Sequence, residues 1–372
     1  MNGVSHLYVH LPFCAHRCGY CDFVTAVGRR DTHGAYVDAL LRELELRGDL
    51  LADRVGTVFL GGGTPTFTEP AALARLLAAL PSADEVTVEA NPETVTPELG
   101  ALLAEAGITR VSLGAQSFRP RLLDVLERRA GPDDVRRAAR TLREAGFDNL
   151  SLDLLYGIPG QSPADLDADI SEALELAPEH VSYYELEAKP GTRFTHRHGE
   201  ELARQADAME GYFERVVDRL TGAGYRWYET ANFARIDDDR DLRARHNLGY
   251  WLGHDYLGLG VGAVSTVAAL RWRNTTKLGA YVDALSEGVL PPGEPEALSA
   301  DVRLRERVML GLRLDEPLSI ADVVPVLDLA ALDRLERLEL VDKGGATTLR
   351  LTDRGRRLGA GVTAELLAYT DL

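Results

Sequence analysis

Cys14, Cys18 and Cys21 are all of the cysteines in a chain of 372 residues. They stand in one stretch, residues 7–23 (LYVHLPFCAHRCGYCDF), at the spacing C-x3-C-x2-C. Thiolates are metal ligands, and three on one short loop can hold a single metal centre. A tetrahedral mononuclear site needs a fourth ligand, which His10 or His16 would supply to a structural zinc. A four-iron cluster normally takes four cysteines. With three, one iron keeps an open position where a small molecule can bind. A disulfide would leave an odd thiol over and would join residues only three or four apart.

The surrounding pattern must position that loop. Residues 5–11 (SHLYVHL) read as a buried strand that runs directly into it. Strands then recur at residues 55–60, 85–90, 110–114, 149–155 and 181–186. Between them the apolar spacing is helical, at 34–46, 70–80, 133–144, 163–176 and 200–220. Thr96-Pro97-Glu98 opens a further helix with a capping residue and a proline in the first turn. Ala106-Gly107, Ala145-Gly146 and Ala223-Gly224 each close a helix before a strand, where glycine can take the left-handed cap. Six β-α units at roughly 30-residue spacing imply a parallel sheet with right-handed crossovers. The expected fold is α/β, a partial (β/α)6 barrel of TIM type.

In such a barrel the active site lies at the carboxyl ends of the strands. The residues that look chemical fall there: the cysteine loop after strand one, Gly61-Gly62-Gly63-Thr64-Pro65 after strand two, and Glu89 with Asn91-Pro92 at strand three. Gln116 follows strand four, and Asp153 lies near the end of strand five. Singly, each has a structural explanation as a turn, a cap or a satisfied buried polar group. Their convergence on one mouth favours a site. The triple glycine allows close backbone approach to a ligand; neither a P-loop nor a G-x-G-x-x-G fingerprint is present there.

Beyond residue 225 the pattern changes. Residues 225–230 read as one more strand and 235–245 (RIDDDRDLRAR) as a charged, solvated loop. His246-Asn247-Leu248-Gly249-Tyr250-Trp251 follows, then a glycine-rich apolar stretch, 256–265. Residues 291–295 (PPGEP) read as a linker. From residue 298 onward come helices and a hairpin turning at Gly344-Gly345, a small α+β, winged-helix-like unit. The expected division is a barrel over 1–232, a connecting region over 233–297 and a C-terminal domain over 298–372.

A net charge of −17 argues against a nucleic-acid binder, in this unit and in the whole chain. With 45% hydrophobic and 27% charged residues the composition is that of a soluble globular protein. No signal peptide is read at the N-terminus and no run is apolar enough to span a bilayer, so at most peripheral membrane contact is expected. Clustered reduced cysteines suit a cytoplasmic protein.

Taken together, these motifs resemble the heme chaperone HemW family of the radical S-adenosylmethionine (SAM) superfamily. Residues 7–23, 59–65 (FLGGGTP), 88–92 (VEANP), 113–118 (LGAQSF), 152–161 (LDLLYGIPGQ) and 246–251 (HNLGYW) carry the likeness. It implies that Cys14, Cys18 and Cys21 ligate a [4Fe-4S] cluster whose open iron binds SAM. It further implies SAM contacts at Tyr8, Tyr20, Gly62, Gly63, Thr64, Glu89, Gln116, Arg128 and Asp153, with Arg129 a rival to Arg128. Related chains carry histidine two residues after that arginine; here Ala130 stands in its place. The related coproporphyrinogen oxidase has a fourth cysteine where this chain has Phe23, and it lacks the H-N-x-x-Y-W motif. That motif is associated with heme in the chaperones, which makes His246 the candidate iron contact. Asn247, Tyr250 and Trp251 join it as candidate heme contacts; alternatively, His246-Asn247 caps a helix whose Tyr-Trp face is core.

The resemblance therefore implies a chaperone that binds heme and passes it to acceptor proteins such as respiratory hemoproteins. The enzymatic alternative is oxygen-independent decarboxylation of coproporphyrinogen III, a dehydrogenase step of heme biosynthesis driven by SAM cleavage. An exposed cluster loop could also support a homodimer, though no residue pattern specifies one.

Overall fold

The computed structural model describes residues 3–187, 189, 192–345 and 347–368. Six parallel strands follow one another in chain order: β1 (His6–Leu11), β2 (Val55–Gly62), β3 (Ala83–Ala90), β4 (Arg110–Gln116), β5 (Leu150–Tyr156) and β6 (His180–Glu185). Each is joined to the next through helical crossover segments, so the fold is α/β with the expected run of six β-α units. Two further pieces extend the sheet to nine strands. A hairpin of β7 (Tyr225–Glu229) and β8 (Asn232–Arg235) adds antiparallel beyond β6. On the other side β9 (Leu257–Leu259) pairs parallel with β1. Residues 233–297, grouped in the sequence as a connecting region, thus contribute backbone to both ends of the central sheet.

Successive strand side chains point to opposite faces. One face is apolar: Leu7, Val9, Val58, Leu60, Val88, Val111, Leu113, Leu152 and Val181 are all at most 1% exposed. They pack on helical residues such as Leu40, Leu73, Leu103, Leu142 and Ile170. Burying each large side chain stabilises the fold by about 1.5–3 kcal/mol. The expected helix signals act as read. Thr96 Oγ1 accepts from the backbone N–H of Leu99 at the start of Pro97–Glu105. Gly107, Gly146 and Gly224 take φ values of 77, 97 and 87°, the left-handed cap that a side chain would strain.

The other face of the sheet is polar and lines a cavity. Parallel register sets Thr87 beside Arg110, Ser112 beside Ser151, and Asp153 beside both Gly114 and Ser182. Arg110 is 1% exposed and donates to Asn149 Oδ1 and Leu242 O, each at 3.1 Å. The charged stretch 235–245 is therefore more than a solvated loop, because Leu242 is buried and its carbonyl satisfies a core guanidinium. The proline-rich stretch expected as a linker also differs. Gly293–Ala297 is a strand, paired with Leu270–Asn274 in a three-stranded sheet completed by Val264–Val267. It lies at the edge of that sheet, where a proline such as Pro295 costs no ladder bond.

The C-terminal unit has its own core, including Val308, Leu318, Leu335, Leu349 and Leu366. Its hairpin, Val341–Gly344 with Thr348–Leu351, turns where read, with Gly345 at φ 59°. Ion pairs fasten it to the β7–β8 hairpin: Arg313 reaches buried Glu229 at 2.6 Å, and Arg226 reaches Asp315 at 2.7 Å. Arg356 lies 3.6 Å over the Trp227 ring.

His180 on β6 gives a test of this packing. Its ring nitrogens lie 2.8 Å from Ser151 Oγ and 2.8 Å from Tyr228 Oη. Burial first, and the Arg110 charge second, hold its pKa well below the ordinary imidazole value of 6.5. The unfolded chain therefore binds the proton that the native state refuses. Stability should be fully present above pH 6.5 and fall on acidification below it, by about 1.4 kcal/mol per pH unit from this group. In urea titrations between pH 7.5 and 5, His180→Asn should show a flatter pH dependence than the parent; equal slopes would contradict the assignment.

Candidate functional site

The cysteine loop leaves β1 at the carboxyl edge of the sheet and closes over a cavity of about 470 Å³. That volume is ordinary for a small-molecule or cofactor site. Cys14, Cys18, Tyr20 and Cys21 line it from above; Gly62, Gly63, Thr64, Glu89, Gln116 and Asp153 line it from the strand ends, and Arg128 from the connection after β4. Eleven of the twelve cluster and SAM residues expected from the sequence therefore meet here. The exception is Tyr8. Its hydroxyl is turned to Nδ1 of His10 at 3.0 Å, and the residue is not on the cavity wall. Arg129, the rival to Arg128, is exposed and off the wall.

Phe13–Cys14 pairs in parallel with Ala26–Val27 at the ends of the loop, and one line of hydrogen bonds ties the loop to the strand ends. Thr64 Oγ1 donates to Cys14 Sγ at 3.5 Å and accepts from Asn91 Nδ2 at 2.9 Å. Asn91 Oδ1 accepts from Arg128 Nη2 at 2.9 Å. Arg128 also donates to Gly114 O at 2.8 Å, and through Nη1 to Cys18 Sγ at 3.6 Å. Burial pushes the Cys14 thiol up to about 11, so holding it as thiolate takes a strong local positive charge, which a metal centre supplies. The zinc alternative loses a ligand here. Both ring nitrogens of His10 are engaged, Nδ1 by Tyr8 and Nε2 by the Val24 carbonyl at 2.9 Å. His16 lines the cavity. Among the described residues no group of three or more His, Cys, Asp or Glu is arranged to hold a single ion.

The glycines sit where a side chain would not fit. A Cβ on Gly63 would fall 2.6 Å from the Pro12 carbonyl oxygen, and one on Gly62 2.5 Å from the His10 ring. Gly62 is at φ 112° and donates its N–H to Glu89 Oε2 at 3.0 Å. The strand ends are thus pressed directly against the loop. On β4 a register shift between Gly114 and Gln116 leaves Gln116 at φ 65°, a strained backbone at the cavity edge.

Deeper in, the carboxylates are unusual. Burial, then the charge of Asp153, raises Glu89 to about 7. Burial raises Asp153 to about 6 against the hydrogen bonds of Ser112 and Ser182. Ser112 Oγ lies 3.1 and 3.0 Å from the two Asp153 oxygens. Such groups accept hydrogen bonds from hydroxyls. With three thiols at one end, acceptors at the other and glycine backbone between, the residues fit a cluster and a SAM-sized ligand. In that arrangement the cysteines would hold the cluster, whose open iron supplies a coordination site and one-electron chemistry.

The H-N-x-x-Y-W residues do not share one site. They lie on the short helix Arg245–Trp251 and leave it in different directions. Asn247 lines the cysteine cavity. His246 is 2% exposed, stacked at 5.1 Å on Phe59, with Nδ1 2.8 Å from Thr57 Oγ1 and Nε2 3.0 Å from Tyr250 Oη. Burial pushes its pKa down to about 3. Both of its nitrogens are occupied by protein partners, so as placed it offers none to an iron. Tyr250 faces a different cavity, and Trp251 packs beneath the Arg313 guanidinium at 4.5 Å.

The sequence reading left Asn91 without a role and missed the polar floor, Arg110, Ser112, Ser151, His180 and Ser182. The signal was present as alternating polar residues, Arg110 and Ser112 on β4, Ser151 and Asp153 on β5, and His180 and Ser182 on β6.

The parallel strands, the cysteine loop and the glycine-walled cavity define a radical SAM domain. Consistent with this, residues 8–173 match the family model described as Radical SAM superfamily, and residues 298–358 match the HemN C-terminal domain. The chain belongs to the heme chaperone HemW family. It is 39% identical over 379 residues to the Heme chaperone HemW of Mycobacterium tuberculosis strain H37Rv, covering 97% of this chain and 94% of that one. To the protein of that name from Escherichia coli K12 it is 39% identical over 265 residues, 69% and 68% of the two chains. The solved coproporphyrinogen III oxidase (HemN) of Escherichia coli superposes with a TM-score of 0.79 at 24% identity, over 98% of this chain and 90% of that one. That likeness is one of fold.

Gly63→Ala tests the close approach. Overpacking of this kind costs about 1–3 kcal/mol. The variant should melt lower and retain less iron and sulfide per chain after anaerobic reconstitution. Gly34→Ala, whose Cβ meets nothing within 4 Å, should match the parent in both.

Proposed function

We propose that the protein binds heme and delivers it to acceptor hemoproteins, with a [4Fe-4S] cluster on Cys14, Cys18 and Cys21 and SAM in the cavity below. The observation that carries this reading is the 39% identity, over 94% of its length, to a protein named for heme chaperoning. Phe23, 61% exposed at the mouth of the cysteine cavity, supports it, since it stands where the oxidase would place a further thiol. Respiratory hemoproteins are the expected acceptors and the cytoplasm the expected location. Among the described residues no helix is long and apolar enough to cross a membrane.

On this reading the residues of the chain divide the work. The three thiolates hold the cluster. Thr64 and Arg128 donate to two of the ligand sulfurs, which lowers their charge density. Glu89 and Asp153 take hydroxyl groups of the bound ligand, while Gly62 and Gly63 admit its backbone-facing end. The protein's business with heme lies elsewhere, around the helix Arg245–Trp251.

Two assays on anaerobically reconstituted protein test the proposal. Hemin titration should give a saturable Soret band. Incubation with coproporphyrinogen III, SAM and a reductant should yield no protoporphyrinogen; robust decarboxylation would establish the oxidase reading instead. Cys18→Ser should lose most of its iron and sulfide, and a full complement would remove the cluster assignment.

A further inference from the structure

A second cavity, of about 700 Å³, opens between the end of the helix Arg245–Trp251, the strands Val264–Val267 and Leu270–Asn274, and the helix Ala300–Gly311. It shares no lining residue with the cysteine cavity. Its size is within the range of cofactor sites. Leu304, Met309 and Leu310 give it apolar walls, and Tyr250 and Tyr256 meet edge to face at its rim with centroids 4.6 Å apart. This suits a flat, largely apolar ligand.

Two features ask for more than an apolar ligand. The first is Arg307. The other lining arginines are paired, Arg271 with Glu306 at 2.7 and 2.8 Å and Arg303 with Asp255 at 2.9 Å. Arg307 instead has a buried Nη1 with no hydrogen-bond partner among the described residues. It packs against Gly253 and Gly311, where a Cβ would fall 3.4 and 2.7 Å from it. Nη1 itself is closed off against Gly311, but Arg307 lines the cavity and meets no protein carboxylate among the described residues, and an unpaired guanidinium on a cavity wall matches a carboxylate. The second is His254. Its Nδ1 lies 3.1 Å from His6 Nε2 with the rings stacked at 5.2 Å. Among the described residues no partner meets its Nε2, and the residue lines the cavity.

The geometry points to this cavity as the heme site, with His254 Nε2 the ligand to iron and Arg307 the partner of a propionate carboxylate. This rests on the reading of the protein as a heme carrier.

The hydrogen bonds behind His254 fit that task. A ligating Nε2 must be without its proton, which places the proton on Nδ1. His254 Nδ1–H then donates to His6 Nε2. His6 Nδ1–H donates to Thr57 Oγ1 at 2.8 Å. Thr57 O–H donates to His246 Nδ1, and His246 Nε2–H donates to the Tyr250 oxygen. Each donor from His254 to His246 meets an acceptor in this sense, and the Tyr250 O–H is left over at the end of the relay. His246 is thereby a positioning residue. It fixes the tautomer of the imidazole that meets the iron, through a relay that spans β1 and β2.

Hemin titration of the full chain and three variants tests the assignment. His254 is exposed, so His254→Ala should fold as the parent does, which its circular dichroism checks. It should bind hemin on the order of tenfold more weakly or worse, with a displaced Soret band that added imidazole restores. Arg307→Gln should weaken binding with the Soret position unchanged. Thr57→Val, which cuts the relay but leaves His254 in place, should shift the iron–imidazole stretching band in resonance Raman spectra. A parent that binds hemin while His254→Ala matches it in affinity and Soret position would overturn this assignment alone. A parent with no Soret band at saturating hemin would overturn the heme-carrier reading and this site with it.

Discussion

The hydrogen-bonded line from Cys14 through Thr64, Asn91 and Arg128 to Cys18 is what fastens the cysteine loop, whose regular structure is a two-residue pairing of Phe13–Cys14 with Ala26–Val27, to the sheet as a site. Each link belongs to a different β-α unit. Thr64 follows β2, Asn91 follows β3, and Arg128 comes from the connection after β4 while bonding back to Gly114 on that strand. Two of the three thiols are therefore placed relative to the sheet and not merely relative to each other. The contact of Gly63 with the Pro12 carbonyl sets the height of the loop above the strands. Pre-organisation of this kind comes from rigid elements supporting flexible ones.

Most of the fold and much of the site are legible in the sequence. The reason is physical: parallel strands buried on one face and helices capped by Ala-Gly junctions leave strong local signals. Barrel topology then converts strand order into proximity, which is why Cys14, Gly62, Glu89, Gln116 and Asp153 can be gathered at one mouth from the sequence alone. What stays illegible depends on register and long-range pairing. Nothing local says that Leu242 will satisfy Arg110, that Gly293–Ala297 will complete a sheet, or that Leu257–Leu259 will lie beside β1. Arg110, Ser112, Ser151 and Ser182 were readable as a period-two stripe, but only once the inward face of each strand was known.

The H-N-x-x-Y-W stretch shows the difference most sharply. As a motif it reads as one site. As a helix it distributes its side chains around the axis, about 100° per residue. His246 and Tyr250, four residues apart, share a face and bond to each other, whereas Asn247 reaches the cysteine cavity and Trp251 reaches the C-terminal unit through Arg313. One short helix thus touches both cavities and the ion-paired seam formed by Arg313 and Glu229. Its buried histidine is kept neutral by its surroundings and hydrogen-bonded on both sides, which suits it to order neighbouring groups.

The most direct test of the central claim is heme transfer itself. Protein reconstituted with its cluster and SAM would be loaded with one equivalent of hemin and mixed anaerobically with an apo-hemoprotein, and the Soret band of the acceptor followed with time. A carrier should pass its heme to the acceptor and leave the SAM unconsumed. Failure of heme to reach the acceptor, or consumption of SAM in step with any change in the porphyrin, would contradict the account.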